Sequence, residues 1–266
     1  MLHRFNVDAV SLAAFSADGN YVLTSGGFGP ISLWNATSGQ VLHRFQYRHT
    51  TDAMAISPNS LRGVYVTSEY QGVIDLESCR ELRQFGRHEK YEPACVAISP
   101  TGNRAVVGVS EPDYSLRAAS VWDLDRGQEL TAPQRAMTLV SCAAFSPDGR
   151  RAIAGSEDTS MCLWEVDSGR HLRRIEGHSG NIRSVTFMPD GRRVLSSSGT
   201  DYYDADLLRE LGIDNTVRLW DIETGSELQR FEGHTANVNC VTVSPDSRYA
   251  LSGSADKTMR LWTLPG

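Results

Sequence analysis

The chain carries 266 residues, with 26 Lys and Arg against 32 Asp and Glu for a formal net charge of −6. That balance gives neither nucleic acid nor an anionic membrane a global electrostatic pull, so no partner of either kind is expected. No apolar run approaches the roughly 18 residues of a membrane helix, and the opening MLHRFNVDAV lacks a signal-peptide core, so the expected location is cytoplasmic.

The five cysteines, Cys79, Cys95, Cys142, Cys162 and Cys240, are odd in number and form no CxxC pair, which points to a reducing compartment and to no metal site. Cys95, Cys142 and Cys240 each stand five residues before a turn proline. They share one repeated strand position, where a thiol packs as a small hydrophobe.

In chain order, short β-patterned segments close on an aromatic or aliphatic residue at Trp34, Ile74, Trp122, Trp164, Trp220 and Trp262. Trp122 to Trp164 and Trp220 to Trp262 are both 42 residues, and Trp34 to Trp122 is 88, two periods of 44. Ile74 takes the Trp place because DLESCRELRQF, from Asp75 to Phe85, matches DIETGSELQRF, from Asp221 to Phe231. Each period carries a tight turn: Ala17-Asp18-Gly19, Pro58-Asn59-Ser60, Pro100-Thr101-Gly102, Pro147-Asp148-Gly149, Pro189-Asp190-Gly191 and Pro245-Asp246-Ser247.

The last period gives strands over Asn237 to Ser244, Tyr249 to Ser254 and Thr258 to Trp262, and the one before it adds a fourth over Glu227 to Phe231. Four hairpin-connected strands per period make one blade of a β-propeller. The expected architecture is all-β: one six-bladed domain over 1–266 built from four-stranded antiparallel blades. Leu2-His3-Arg4-Phe5 matches Leu228-Gln229-Arg230-Phe231, so the first residues are expected to complete the last blade and close the ring. A monomer, alone or within a larger complex, follows.

These repeats closely resemble the WD40 family, on the Gly-His pairs Gly177-His178 and Gly233-His234 and the Trp-Asp endings Trp122-Asp123 and Trp220-Asp221. A bacterial-type WD repeat protein is the expected affiliation. The resemblance implies hydrogen-bonded Asp–His–Ser–Trp sets: Asp214, His178, Ser196 and Trp220 in the fifth blade, and Asp256, His234, Ser252 and Trp262 in the sixth. A Ser-His-Asp trio also suggests a hydrolase. Here it recurs at the repeat period together with a Trp, so no catalytic residue is assigned.

The other blades depart from the pattern. Blade four keeps Asp158 and Trp164 but has Ala154 and Ala136 in the Ser and His places. Blade one has Thr24 and Trp34 with Phe28 and Asn6. Blade three has Trp122 with His88 one residue out of register, and blade two lacks the Trp. Blades one to four are expected to lean on apolar packing.

Trp164 to Trp220 spans 56 residues, 14 more than the period, and the excess falls between Ser198 and Asp214 in the turn joining the second and third strands. This insertion, 199–213, reads GTDYYDADLLRELGI and carries a net charge of −3. Asp204 is placed to cap a short helix presenting Leu207, Leu208 and Leu211, beside Tyr202 and Tyr203. The bland alternative is an insertion that only covers neighbouring blades. Blade three also has an enlarged loop from Val109 to Ser120 with Tyr114.

The resemblance places both loops on the face that carries Gly-His, often called the top face, with Asn181 and Asn237 on the same rim. The function expected is a non-catalytic scaffold binding a protein or peptide there, without cofactor. Two alternatives remain: a propeller hydrolase or lactonase with a channel metal, and a regulatory propeller beside a signalling kinase.

Overall fold

The structure is a computed structural model that describes residues 12–26, 29–47, 51–58, 61–86, 92–110, 117–131, 140–200 and 214–266. The described residues form strands and turns, with no helix among them. They fall into two compact units, residues 1–115 with 120–130, and 116–119 with 131–266.

The first unit holds three antiparallel sheets. The first is β1 (Leu12–Phe15), β2 (Tyr21–Ser25), β3 (Ile31–Asn35) and β4 (Val41–Phe45). The second is β5 (Thr51–Ile56), β6 (Arg62–Thr67), β7 (Gln71–Asp75) and β8 (Arg80–Phe85). The third is β9 (Glu92–Ile98), β10 (Arg104–Ser110), β11 (Arg117–Asp123) and β12 (Gln128–Thr131), with the start of β11 assigned to the other unit. The second unit also holds three. The fourth sheet is β13 (Val140–Phe145), β14 (Arg151–Ser156), β15 (Met161–Glu165) and β16 (His171–Ile175). The fifth is β17 (Asn181–Phe187), β18 (Arg193–Gly199), β19 (Val217–Asp221) and β20 (Glu227–Phe231). The sixth is β21 (Val238–Val243), β22 (Tyr249–Ser254) and β23 (Met259–Thr263).

Strands are hydrogen-bonded in sequence order within every sheet. Trp34, Ile74, Trp122, Trp164, Trp220 and Trp262 all lie in third strands. The sixth sheet has three strands among the described residues rather than four. The expected closing strand, Leu2 to Phe5, lies outside the described residues, as do Asn6, Phe28, His88 and Ala136.

The turns explain why so short a sequence unit folds reproducibly. Between first and second strands, Ser146 Oγ donates to Asp148 at 2.5 Å, and the Arg150 and Arg151 N–H groups are taken by Asp148 and Ser146 at 3.0 and 2.9 Å. Ser16 with Asp18 and Ser244 with Asp246 repeat the device. Gly149 follows with φ +70°, a left-handed conformation that costs glycine little. Between third and fourth strands, the residue after the Trp position caps the turn. Asp221 Oδ1 accepts the Thr224 N–H at 2.7 Å, and Asn35 and Asp75 do the same for Ser38 and Ser78. The Trp-Asp ending is therefore a turn signal as well as a core signal.

Successive sheets within each unit are cemented by aliphatic side chains. Leu23, Ile31 and Leu33 pack with Tyr65, Ile74 and Leu76, and Val64, Val66 and Val73 with Ile98, Val107 and Trp122. Ile153, Met161 and Leu163 pack with Ile182, Val185 and Trp220, and Leu195, Val217 and Leu219 with Val238, Val241 and Ala250. Removing each such side chain from water contributes roughly 1.5–3 kcal/mol, so the junctions dominate stability.

The repeated cysteine position lies at a β-bulge opposite glycine: Cys95 faces Gly108, Cys142 faces Gly155 and Cys240 faces Gly253. A Cβ on Gly155 would lie 2.7 Å from Cys142 Sγ, so the glycine makes room for the thiol. Burial pushes the Cys142 thiol up to about 11. Cys240 departs from the expected packing, because it is exposed on the sixth sheet.

Candidate functional site

The candidate site is one end of the fifth and sixth sheets, where the Gly-His segments precede β17 and β21 and the turns leave β18 and β22. Its geometry begins with Trp220. The indole N–H can only donate, and Ser196 Oγ takes it at 2.8 Å. Ser196 then gives its one proton to His178 Nε2 at 2.7 Å, which leaves Nδ1 protonated to donate to Asp214 at 2.9 Å. Every polar atom in the buried chain has a partner.

Burial lowers the His178 pKa below its ordinary value, which keeps the ring neutral as this proton order requires. Burial alone would raise Asp214, but hydrogen bonds from His178, Ser198 and the Ser179 N–H hold it well below the usual carboxylate range. In the sixth sheet the same relations join Trp262 to Ser252 at 2.8 Å, Ser252 to His234 at 2.8 Å and His234 to Asp256 at 2.7 Å. The residues are thus used in cross-bracing: each serine donates to a histidine and accepts the indole N–H of its Trp.

Gly177 has a structural reason to be glycine. It holds φ +149°, and a Cβ there would meet the Trp220 ring at 2.8 Å. Arg218, buried, donates to the Gly177 carbonyl and to Glu227, both at 2.8 Å, and pairs with Asp214.

The other sheets solve the indole differently. Trp34 donates to Thr24 at 2.8 Å. Trp122 donates to Ser120, two residues back on its own strand, at 2.7 Å. Val109 and Ser110 lie in β10 and Ser120 in β11 rather than in the enlarged loop expected from Val109 to Ser120, and Tyr114 is outside the described residues. The Trp164 N–H is buried without a hydrogen-bond partner, because Ala154 stands where Ser196 stands in the fifth sheet.

Of the partner-binding residues expected from the sequence, Tyr202, Tyr203, Leu207, Leu208 and Leu211 lie outside the described residues. The insertion's first two residues, Gly199 and Thr200, and Asp214, which follows it, are described and held. Thr200 gives its N–H to Asn237 Oδ1 at 2.9 Å. A Cβ on the neighbouring Gly199 would lie 2.7 Å from the Asn237 Cα, so the end of β18 touches the residue that precedes β21. Asp214, just after it, is fixed by His178, by the Ser179 N–H at 3.0 Å and by Thr216 at 3.0 Å. Asn237 is thus a clasp at the root of the loop. Asn181, half-buried, opens β17 opposite Gly199. Ser179 and Thr235 are exposed beside them. No sequence signal marks the clasp, because it joins residues of successive repeats.

Among the described residues no three His, Cys, Asp or Glu side chains are grouped to hold a metal ion. Nor is there among them a helix long and apolar enough to cross a membrane.

A family model, WD domain, G-beta repeat, matches residues 128–165, 169–221 and 225–263, just under half of the chain. Subunit I of eukaryotic translation initiation factor 3 from Xenopus tropicalis is 46% identical over 59 residues, 22% of this chain and 18% of that protein. The nuclear distribution protein PAC1 of Arthroderma benhamiae is 43% identical over 58 residues, 22% of this chain and 13% of its own length. Pre-mRNA-processing factor 19 of Caenorhabditis elegans is 44% identical over 52 residues, 20% of this chain and 11% of that protein. The chain therefore matches less than a fifth of each relative's length. These relatives are eukaryotic, so they give the expected bacterial-type affiliation no support.

Proposed function

We propose that this chain, whose repeats over 128–263 are WD40 repeats, is a non-catalytic scaffold that holds a protein or peptide on the end of the sheets carrying the Gly-His segments. The observation that carries the reading is the clamping of the fifth-repeat insertion at its start, by Asn237 at Thr200, and at the residue that follows it, by His178 and Ser179 at Asp214. A binding loop gains affinity when its base is already ordered, because less freedom is lost on contact.

Tyr202, Tyr203, Leu207, Leu208 and Leu211 supply the contact surface in this reading, with Tyr114, Asn181 and Asn237 around it. Similarity to a subunit of a multi-subunit initiation factor supports a role inside an assembly. Among the described residues at this end, His178 is committed to Asp214 and His234 to Asp256, which supports binding rather than chemistry. Five free thiols suit the cytoplasm, where we place the protein.

Affinity capture compares the intact chain with a variant lacking residues 202–211, both checked for folding by circular dichroism. The expected result is loss of the captured partner with the fold intact. An unchanged partner set would remove the insertion as the binding element.

A further inference from the structure

In the fourth and sixth repeats the turn between second and third strands closes on itself. The Asp158 N–H goes to Ser156 Oγ at 3.0 Å, and the Asp256 N–H goes to Ser254 Oγ at 3.1 Å. In the fifth repeat the insertion separates Ser198 from Asp214, and Ser198 Oγ donates to the Asp214 carbonyl at 3.1 Å instead. The buried Thr200, which follows β18, gives its N–H to the next repeat, at Asn237 Oδ1.

Two features make that reach possible. Gly199 stands where the fourth and sixth repeats have Glu157 and Ala255, by the same pairing of first and second strands. A Cβ at this position would lie 2.7 Å from both Cα and Cβ of Asn237, so only glycine admits the contact. Asn237 is itself framed by the turn of its own repeat. Its carbonyl accepts the Ala255 N–H at 2.9 Å, the Ala236 carbonyl accepts the Ser254 hydroxyl at 3.0 Å, and the Thr235 N–H goes to Asp256 at 3.1 Å. Asp256 is tied in turn through His234 and Ser252 to Trp262. The amide that grips Thr200 is therefore delivered by a fixed frame, and little freedom is lost in holding it there.

We propose that Asn237 is a positioning residue through which the sixth repeat sets the start of the fifth repeat's insertion. The Asp256–His234–Ser252–Trp262 set then serves a loop borne by the repeat before it, as well as bracing its own sheet. The coupling stands on these contacts alone; its effect on affinity rests on the reading of the insertion as the binding element.

Amide exchange of the free, full chain tests the coupling. Asn237→Ala should speed exchange at Thr200 about fivefold, the worth of one hydrogen bond, with the melting temperature little changed. Asn237→Asp, which keeps an acceptor, should restore the intact rate. Gly199→Ala, which displaces Asn237, should speed Thr200 as Asn237→Ala does. Ser254→Ala, which loses hydrogen bonds to Ala236 and Asp256 only, should speed it too. Unchanged exchange at Thr200 in Asn237→Ala overturns the proposal, and so does unchanged exchange in a folded Ser254→Ala. The second arm uses the protein that the intact chain captures and the chain lacking residues 202–211 does not. Asn237→Ala should bind it about fivefold more weakly, and Asn237→Asp as the intact chain does. Equal affinity of Asn237→Ala and the intact chain would overturn the positioning role. An unchanged partner set in the deletion variant removes the binding reading alone, and the exchange rates still decide the coupling.

Discussion

Tyr65 stands directly across from Gly72 in the second sheet, with its ring lying over the glycine where a side chain would otherwise project. These positions correspond to Ser196 and Arg218 of the fifth sheet, and Ile74 occupies the place of Trp220. The volume of the missing indole has moved to the neighbouring strand. Tyr65 stacks on Tyr47 at 4.5 Å between centroids, and its hydroxyl pairs with Glu81. Gly72→Ala would drive a methyl into the Tyr65 ring, and overpacking of this kind costs about 1–3 kcal/mol. Urea unfolding of the variant should show a lowered midpoint; an unchanged one would mean that the ring moves aside freely.

In the fourth sheet the problem is a donor without an acceptor. Ala154→Ser puts an oxygen where Ser196 serves Trp220, and a hydrogen bond to the Trp164 N–H should add about 0.5–1 kcal/mol. The gain should vanish when Trp164 is also Phe. A double-mutant cycle without coupling between 154 and 164 would refute the assignment.

Ser247 holds φ 60° in the turn where Gly19, Gly102, Gly149 and Gly191 hold 65° to 72°. A side chain in this left-handed region costs about 1 kcal/mol or more, partly offset by the extra freedom glycine brings to the unfolded chain. Ser247→Gly should therefore raise the melting temperature, while Gly149→Ser should lower it. Equal melting temperatures for all three proteins would show that the turn conformation carries no cost.

The Asp–His–Ser–Trp sets make stability pH-dependent in a definite direction. His178 is depressed in the folded state, so below the ordinary histidine pKa of 6.5 the unfolded chain binds a proton that the folded one refuses. Stability is full above that pH and declines as pH falls toward the folded value. Asp214 and Asp256 are also depressed, and their contribution declines below the ordinary carboxylate value of 3.8. Denaturant midpoints measured from pH 8 to pH 5 should fall, and His178→Asn should flatten the upper part of the curve. A midpoint that rises on acidification would contradict the neutral-histidine proton order.

The third strands were legible in the sequence because the Trp spacing and the strand alternation report the same period. The members of the two cross-braced sets were legible for the same reason, since Ser196 and Ser252 sit at one register relative to their Trp. The Tyr65–Gly72 exchange was not legible, because it conserves volume across two strands rather than residue type at one position. Ser120 was not legible as an indole acceptor, because a partner two residues before its Trp on the same strand breaks the expected cross-strand geometry. The Asn237 clasp joins residues from successive repeats, and linear periodicity says nothing about what touches between them.

Hydrogen exchange on the protein with and without its captured partner tests the binding face most directly. The backbone amides of residues 177–181, 199–200 and 234–237 should slow on binding, while the turns at 146–150 and 244–248, at the opposite ends of their strands, should be unchanged. Slowing confined to those opposite turns would contradict the placement of the partner.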